Sequence, residues 1–429
     1  MMNSKENYNK IISFFIVLIA STIVFRPVCT LLIILFTIYN LVHFKYLKWP
    51  NNVWKYVCLL SLPLIFEILF FWNNSSITLG FKSLEKYASL FVFSFFILGN
   101  YQQLSFIKIL NQYRYLFTFI WVILLLRFLI LDYDLVHKYI NGIHLAEMGY
   151  KFAESFGNHA PAINMHVAFL VITNVYFLLR KRTFKNLLIN IFLLFVSLFS
   201  LLVLNTRISL AVAILCSLIV SLQYFIKQFK TSKIVKFSIG FVAIISGILF
   251  ISFESNPYMK EKYSSVTFAY MDKVGKLDEI QNPEVVVFNA FVTRLSIWKS
   301  SYELALEQPL IGYGSADGKR EVVDYFKRTN QQFLTKYAFP VHNQILDFFV
   351  KFGFLGAIMG IVYMLVPIVI GFKSKNVILF CFGIIFFISN LFDDFLIRFD
   401  GIVFFGIWIC LGTAFYLRNK NSIKSELLD

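Results

Sequence analysis

Apolar residues in this chain fall into long unbroken runs, not the alternation of strands. The runs lie at approximately 11–25, 28–43, 53–72, 84–99, 115–131, 161–179, 186–203, 208–226, 234–252, 344–371, 376–391 and 401–417. Most are long enough to cross a hydrocarbon layer of roughly 30 Å as helices. A transmembrane barrel would instead alternate apolar and polar positions over segments of about ten residues. The pattern predicts an all-α polytopic membrane protein with about twelve transmembrane helices. Polar breaks between runs are short, with one large exception at 252–341. The chain thus divides into 1–251 (spans one to nine), 252–343 (a large loop) and 344–429 (spans ten to twelve). The first two runs are short and share the corner Arg26-Pro27; read as one re-entrant unit, they would invert every later orientation. The first run follows Lys5 and Lys10 as in a signal peptide, but no small-x-small cleavage pattern follows it, which predicts an uncleaved helix.

Charge orients the spans. With the N-terminus inside, the inner connectors and tails carry 20 Lys and Arg, including Arg180-Lys181-Arg182, against only Glu6, Glu426 and Asp429. The loop 252–341 carries 11 basic and 11 acidic residues. This is the positive-inside bias of short cytoplasmic loops. It also accounts for the formal net charge of +16, which in a soluble protein would suggest nucleic acid; no nucleic-acid role is expected. The 58% hydrophobic and 19% aromatic content exceeds what a soluble core needs. The five cysteines all fall inside apolar runs, so they form no disulfide framework or metal motif and read as small apolar fillers.

The loop has helical pattern of its own. Phe291, Leu295, Trp298, Tyr302 and Leu306 recur at spacings of three and four, an amphipathic helix able to lie on a membrane surface with this stripe down. It should end at Gln308-Pro309. Gly312-Tyr313-Gly314-Ser315 reads as a turn, and a second polar helix is expected from Lys319 to Gln332. The neutral charge and the ending on His342 suggest a lid over the membrane surface.

Candidate chemistry collects on the outer side. Arg207 opens the eighth span with no acidic residue among the four on either side, at a boundary where positive charge is usually avoided. A guanidinium there suits phosphate or carboxylate, aided by helix N-terminal amides, although simple snorkelling would also place it there. Arg294 lies on the striped helix and could merely flank the stripe. His342 begins the tenth span, where a neutral imidazole can take a proton from a hydroxyl or simply cap the helix. A metal is not expected, because the other outer histidines, His137, His144 and His159, have no ligand-like spacing to His342. Asp393, Asp394, Arg398 and Asp400 crowd one turn, where mutual salt bridging is the plainer reading. Asp347, five residues past His342, could orient polar groups, and Glu67 sits mid-span, which is costly unless it is paired. Lys351 is a further ionisable residue in a span. Glu85 and Lys86, with Lys82, could extend a cationic patch.

In order, Asn205-Thr206-Arg207 before an apolar helix, the run from Arg294 to Gly314, and Val341 to Gly356 with the pair Gly353 and Gly356 resemble the O-antigen ligase and polymerase superfamily. The resemblance covers roughly 200–400; the first 180 residues match in hydropathy and span count only. It implies a membrane glycosyltransferase of the GT-C type in the bacterial inner membrane, its large loop periplasmic. Such enzymes take a glycan from an undecaprenyl-diphosphate-linked donor. Ligases pass it to a lipid A–core acceptor; polymerases pass it to another repeat unit. No cofactor or metal is implied. Carried over by position, Arg207 and Arg294 would bind the pyrophosphate and His342 would activate the acceptor hydroxyl. Arg398 and Asp394, in the acidic–arginine turn, have a looser counterpart, and Lys86 is a further substrate-binding candidate. Ligase is the leading reading. Polymerase, transfer to a protein acceptor and, from another class, a lipid-linked glycan transporter remain alternatives. The nine-loop-three arrangement lacks the two similar halves of many transporters.

Overall fold

A computed structural model describes residues 4–143, 147–180, 183–228, 240, 247, 268–288 and 290–426. Among these residues the chain is helical or turn, without a strand. Helices α1 (Ser4–Ser21) and α2 (Arg26–Val42) form an antiparallel hairpin, closed where Tyr8 Oη donates to Asn40 Oδ1 at 2.9 Å. Helices α3 (Asn51–Leu60) and α4 (Leu62–Leu69) meet at a 69° bend. Pro63 follows the break and has no N–H to continue the helix across it. Then come α5 (Ile77–Gly99), α6 (Phe106–Leu131), α7 (Tyr133–Ile140), α8 (Met148–Glu154), α9 (Ala160–Arg180), α10 (Phe184–Leu204) and α11 (Arg207–Gln228). After the loop's helices α12 (Phe291–Glu307), α13 (Gly318–Arg328) and α14 (Gln332–Tyr337) follow α15 (Gln344–Lys373), α16 (Val377–Phe392) and α17 (Phe399–Glu426).

Six described helices are long and apolar enough to cross a membrane: α6, α9, α10, α11, α15 and Phe399–Lys420 of α17. The bent pair α3–α4 makes a seventh if it is one span. The runs at 28–43 and 376–391 appear as the shorter apolar helices α2 and α16. Helices α1 and α5 are long, but Lys5, Glu6 and Lys10 in one and Lys82, Glu85 and Lys86 in the other interrupt their apolar length. Of the expected ninth span at 234–252, only residues 240 and 247 are among those described. At the centre stand α9 and α17, each with 83% of its apolar window buried, against 33% for α6 and 44% for α10. Phe169 of α9 packs on Trp408 and Phe404 of α17 and on Phe382 of α16. The outer helices turn large side chains such as Phe192 and Phe195 outward, where hydrocarbon would solvate them.

The loop has its own apolar core. Val292, Ile297 and Leu304 of α12 pack with Val322 and Phe326 of α13, Phe333 and Leu334 of α14, and Phe349 and Val350 of α15. The fully buried face of α12 is therefore the one carrying Val292, Ser296, Ile297 and Leu304. The stripe expected to be its apolar side rests on the bundle instead: Trp298 faces Phe392, Tyr302 faces Phe349, and Tyr302 and Leu306 remain exposed. The expected polar helix at 319–332 is split at Thr329–Gln331, where Asn330 takes a left-handed φ of 56°.

A break in α15 joins loop to bundle. Gly353 has φ 68° and ψ −160°, interrupting the helix. The segment 309–314 fills the gap: Tyr313 N donates to Val350 O at 2.8 Å, Gly314 N to Lys351 O at 3.0 Å, and Phe354 N to Pro309 O at 2.8 Å. These bonds satisfy backbone groups that the break would otherwise orphan. A Cβ at Gly353 would stand 2.5 Å from the Leu310 carbonyl, and one at Gly312 2.5 Å from that of Lys351. The glycines of the two motif pieces thus serve one backbone-to-backbone approach. A second clamp sits beside it. Ser75 N and Oγ donate to Asp317 at 2.6 Å each, and Asn73 Nδ2 donates to Gly312 O at 3.0 Å.

Candidate active site

His342 is held by its backbone before its side chain. It takes φ 55°, and Asn343 then caps α15 by accepting from Ile345 N and Leu346 N at 3.0 Å each. The Asn343 amide donates to Leu391 O at 2.9 Å, tying the start of α15 to the end of α16. From the loop side, Trp298 Nε1 donates to His342 O at 3.1 Å. The capping residue thereby brings the turn after α16 next to the imidazole. His342 Nδ1 lies 3.0 Å from Asp393 Oδ1, and Asp394 Oδ1 stands at 4.0 Å. The His342 side chain keeps 18% exposure, against 5% and 1% for the two aspartates.

The two carboxyls are driven apart. Burial pushes Asp393 up, but the His342 hydrogen bond and charge, the Asp394 contact and the Arg294 charge outweigh it and hold its carboxyl well below the usual range. Burial and the neighbouring Asp393 charge push Asp394 well above that range. One is therefore a carboxylate and the other a neutral acid near pH 7. With Asp393 ionised, His342 donates to it through Nδ1–H, and the neutral form of that tautomer carries its lone pair on Nε2.

Arg207, Arg294 and Arg398 share this end of the bundle. Arg207 is the first residue of α11, after Asn205 at a left-handed φ of 43° turns the chain from α10. Asn164 Nδ2 of α9 donates to Thr206 Oγ1 at 2.7 Å and fixes that corner. Gly149 of α8 packs against the Leu204 carbonyl, and this close contact seats Tyr150. Loss of hydration raises Tyr150, although its side chain stays partly exposed, while the charges of Arg294 and Arg207 draw it down and that of Asp393 raises it. One phenol thus senses both arginines. His159, just before α9, is depressed to about 4, first by burial and then by Arg398, with Arg294 and His342 adding repulsion. Arg398 follows the short turn Phe395–Ile397, its Nε buried.

The structure thus gathers His342, Arg207, Arg294, Asp394 and Arg398, and adds Asp393, Tyr150 and His159. Asp393 was visible in the sequence as part of an acidic turn, but nothing local marked it as the partner of His342. Tyr150 carried no signal. Two expected contributors sit in an adjoining charged group. Asp347 pairs with Lys351 at 2.6 Å and accepts from Gln344 at 3.0 Å; it does not bond His342. Lys86 senses Lys351, Glu67, Asp347 and Lys319, a charged group along α4, α5 and α15 whose Asp347 in turn acts on Asp394. His342, Asp393 and Asp394 also place three possible ligand atoms within 4.8 Å of one another. The histidine spacings considered from sequence could not show this, because two of the three are carboxyls.

A helical membrane protein with arginines and a histidine–carboxylate pair at one end of its bundle is suited to handling an anionic, lipid-borne group there. Residues 191–361 match the family model described as O-Antigen ligase. The match supports the O-antigen ligase and polymerase superfamily for this segment, and members of that superfamily are glycosyltransferase-like enzymes. The match includes Arg207, Arg294 and His342 and ends before Asp393. No curated protein matches the chain.

Proposed function

We propose that this protein moves a glycan from undecaprenyl diphosphate to lipid A–core at the periplasmic face of the inner membrane. The observation that carries this reading is the His342–Asp393 hydrogen bond beside Arg294, within a chain matched to the family across both the arginines and the histidine. In this reading His342 Nε2 takes the proton of the acceptor hydroxyl as its oxygen attacks the anomeric carbon. The glycosidic C–O bond to the diphosphate breaks, and undecaprenyl diphosphate departs with the electron pair. Arg207 and Arg294 stabilise the charge growing on it, and Asp393 stabilises the imidazolium. Attack opposite the leaving group inverts the anomeric configuration. The guanidiniums take the place of a metal.

The topology proposed with it has twelve spans, both termini cytoplasmic, a GT-C-like arrangement and the loop 252–343 as a periplasmic lid between spans 1–251 and 344–429. The docking of 309–314 onto Gly353 and the Ser75–Asp317 clamp support a lid seated on the bundle. A deletion strain tests the function by lipopolysaccharide gel. Loss of long chains with polymer retained on the carrier is expected; core bearing a single repeat unit would make the protein a polymerase instead. EDTA should leave transfer by purified enzyme intact. Loss restored by Mg²⁺ would move His342, Asp393 and Asp394 into a metal site.

A further inference from the structure

The end of the bundle opposite His342 holds a cavity of about 370 Å³ between α9, α11 and the start of α16. That volume lies within the range of about 300–1,000 Å³ typical of small-ligand sites. Arg180, Lys227, Gln223 and Tyr176 line it with polar groups, and Val220 and Val377 are apolar. The Arg180 guanidinium lies over the Tyr176 ring at 4.1 Å.

Among the described residues no carboxylate lines the cavity. No Asp or Glu occurs between Glu154 and Glu254, or between Asp347 and Asp393. The three lining helices therefore cannot supply one. Arg180 and Lys227 stand in the last turns of α9 and α11. A helix C-terminus carries only about half an elementary negative charge, so it offsets part of each cation and leaves an excess. We propose that this cavity binds the phosphate headgroup of an anionic glycerophospholipid. The cations and Gln223 would take the phosphate oxygens, and the apolar side at Val220 and Val377 would take the start of an acyl chain. A free phosphate ion shares the headgroup chemistry but has no use for that apolar side. The tyrosine-bearing rim suits the headgroup level of a bilayer. Assigning the site to the cytoplasmic leaflet rests on the topology proposed above; the binding itself does not.

The test uses the purified full-length protein in neutral detergent, without glycan substrates, so its outcome is independent of the transfer reaction. Thermal unfolding and native mass spectrometry are followed with added cardiolipin, phosphatidylcholine or inorganic phosphate. Cardiolipin should be retained and should raise the melting temperature, while the other two should not. The Arg180→Gln/Lys227→Gln double variant should weaken retention about tenfold or more. Equal stabilisation by phosphatidylcholine or by inorganic phosphate overturns the proposal, as does an unchanged response in the variant. Should the double variant fail to fold, Lys227→Gln alone, at an exposed position, must show a smaller shift than wild type; an equal shift overturns the proposal too.

Discussion

The two ends of the helical bundle both gather cations, and they balance them differently. At the His342 end, Arg294 and Arg398 act in the field of Asp393 and Asp394, and the same Asp393 orients the imidazole. At the opposite end, Arg180 and Lys227 face a cavity whose helices contain no acidic residue. The first end supplies its own counter-charges, which fixes side chains in the poses that chemistry needs. The second leaves its charge to be met from outside, which suits holding something rather than transforming it. The same residue types therefore predict opposite sensitivities to substitution.

The largest effect should come from His342→Ala. Losing a general base typically costs about 10²–10⁴ in rate, and single-turnover transfer in vitro should fall by that order with membrane expression unchanged. Normal transfer would remove His342 from the chemistry. Arg207→Ala and Arg294→Ala follow, each expected to cost about 10²–10³ in kcat, as removal of one charge-stabilising donor does. Lysine at either position should recover only part of that, because it cannot bind the diphosphate bidentately.

Next, the two aspartates should part company. Asp393→Asn removes the ionised partner of Nδ1 and should cost about 10–100-fold, the range seen when a group orienting a histidine is lost. Asp394→Asn replaces a neutral acid by a neutral amide of the same shape and should lie close to wild type. Equal losses from both would mean that the charges are not divided as described.

Smaller still is a pH effect on stability. His159 titrates near 4 in the folded protein against 6.5 unfolded. Between those values the unfolded chain binds a proton that the folded one does not, so stability declines as pH falls from 6.5 towards 4. Melting temperatures across that window should drop, and His159→Gln should flatten the slope. The smallest effect is expected at the other end: Arg180→Gln should leave turnover in detergent unchanged.

Much of this was legible in one dimension. Most of the apolar runs fall on single described helices because a membrane span needs uninterrupted length, whereas 53–72 is bent between α3 and α4 and only residues 240 and 247 of 234–252 are described. Arg207 and His342 lie where a corner and a cap put them, both readable locally. The His342–Asp393 bond was not legible, because 51 residues and a helical hairpin separate the partners. The stripe on α12 misled for a related reason. Sequence shows that a helix has two faces, but the smaller residues, Val292, Ser296 and Leu304, were the ones with a core to enter. Asp347 was placed near His342 by sequence distance, yet Lys351, one helical turn further on, offers the nearer opposite charge.

The break at Gly353 also says where this molecule can be cut and rejoined. The nine residues from Gln344 to Phe352 continue into a membrane helix, yet Phe349 and Val350 belong to the core of the loop, and Lys351 carries backbone bonds from it. A chimaera exchanged at His342 would therefore divide that core between two parents. One exchanged at Gly353, with the upstream junction before Phe268, would carry the core across whole. Graft boundaries drawn from hydropathy would thus fail where boundaries drawn at the glycine succeed, and expression of the two series would show it.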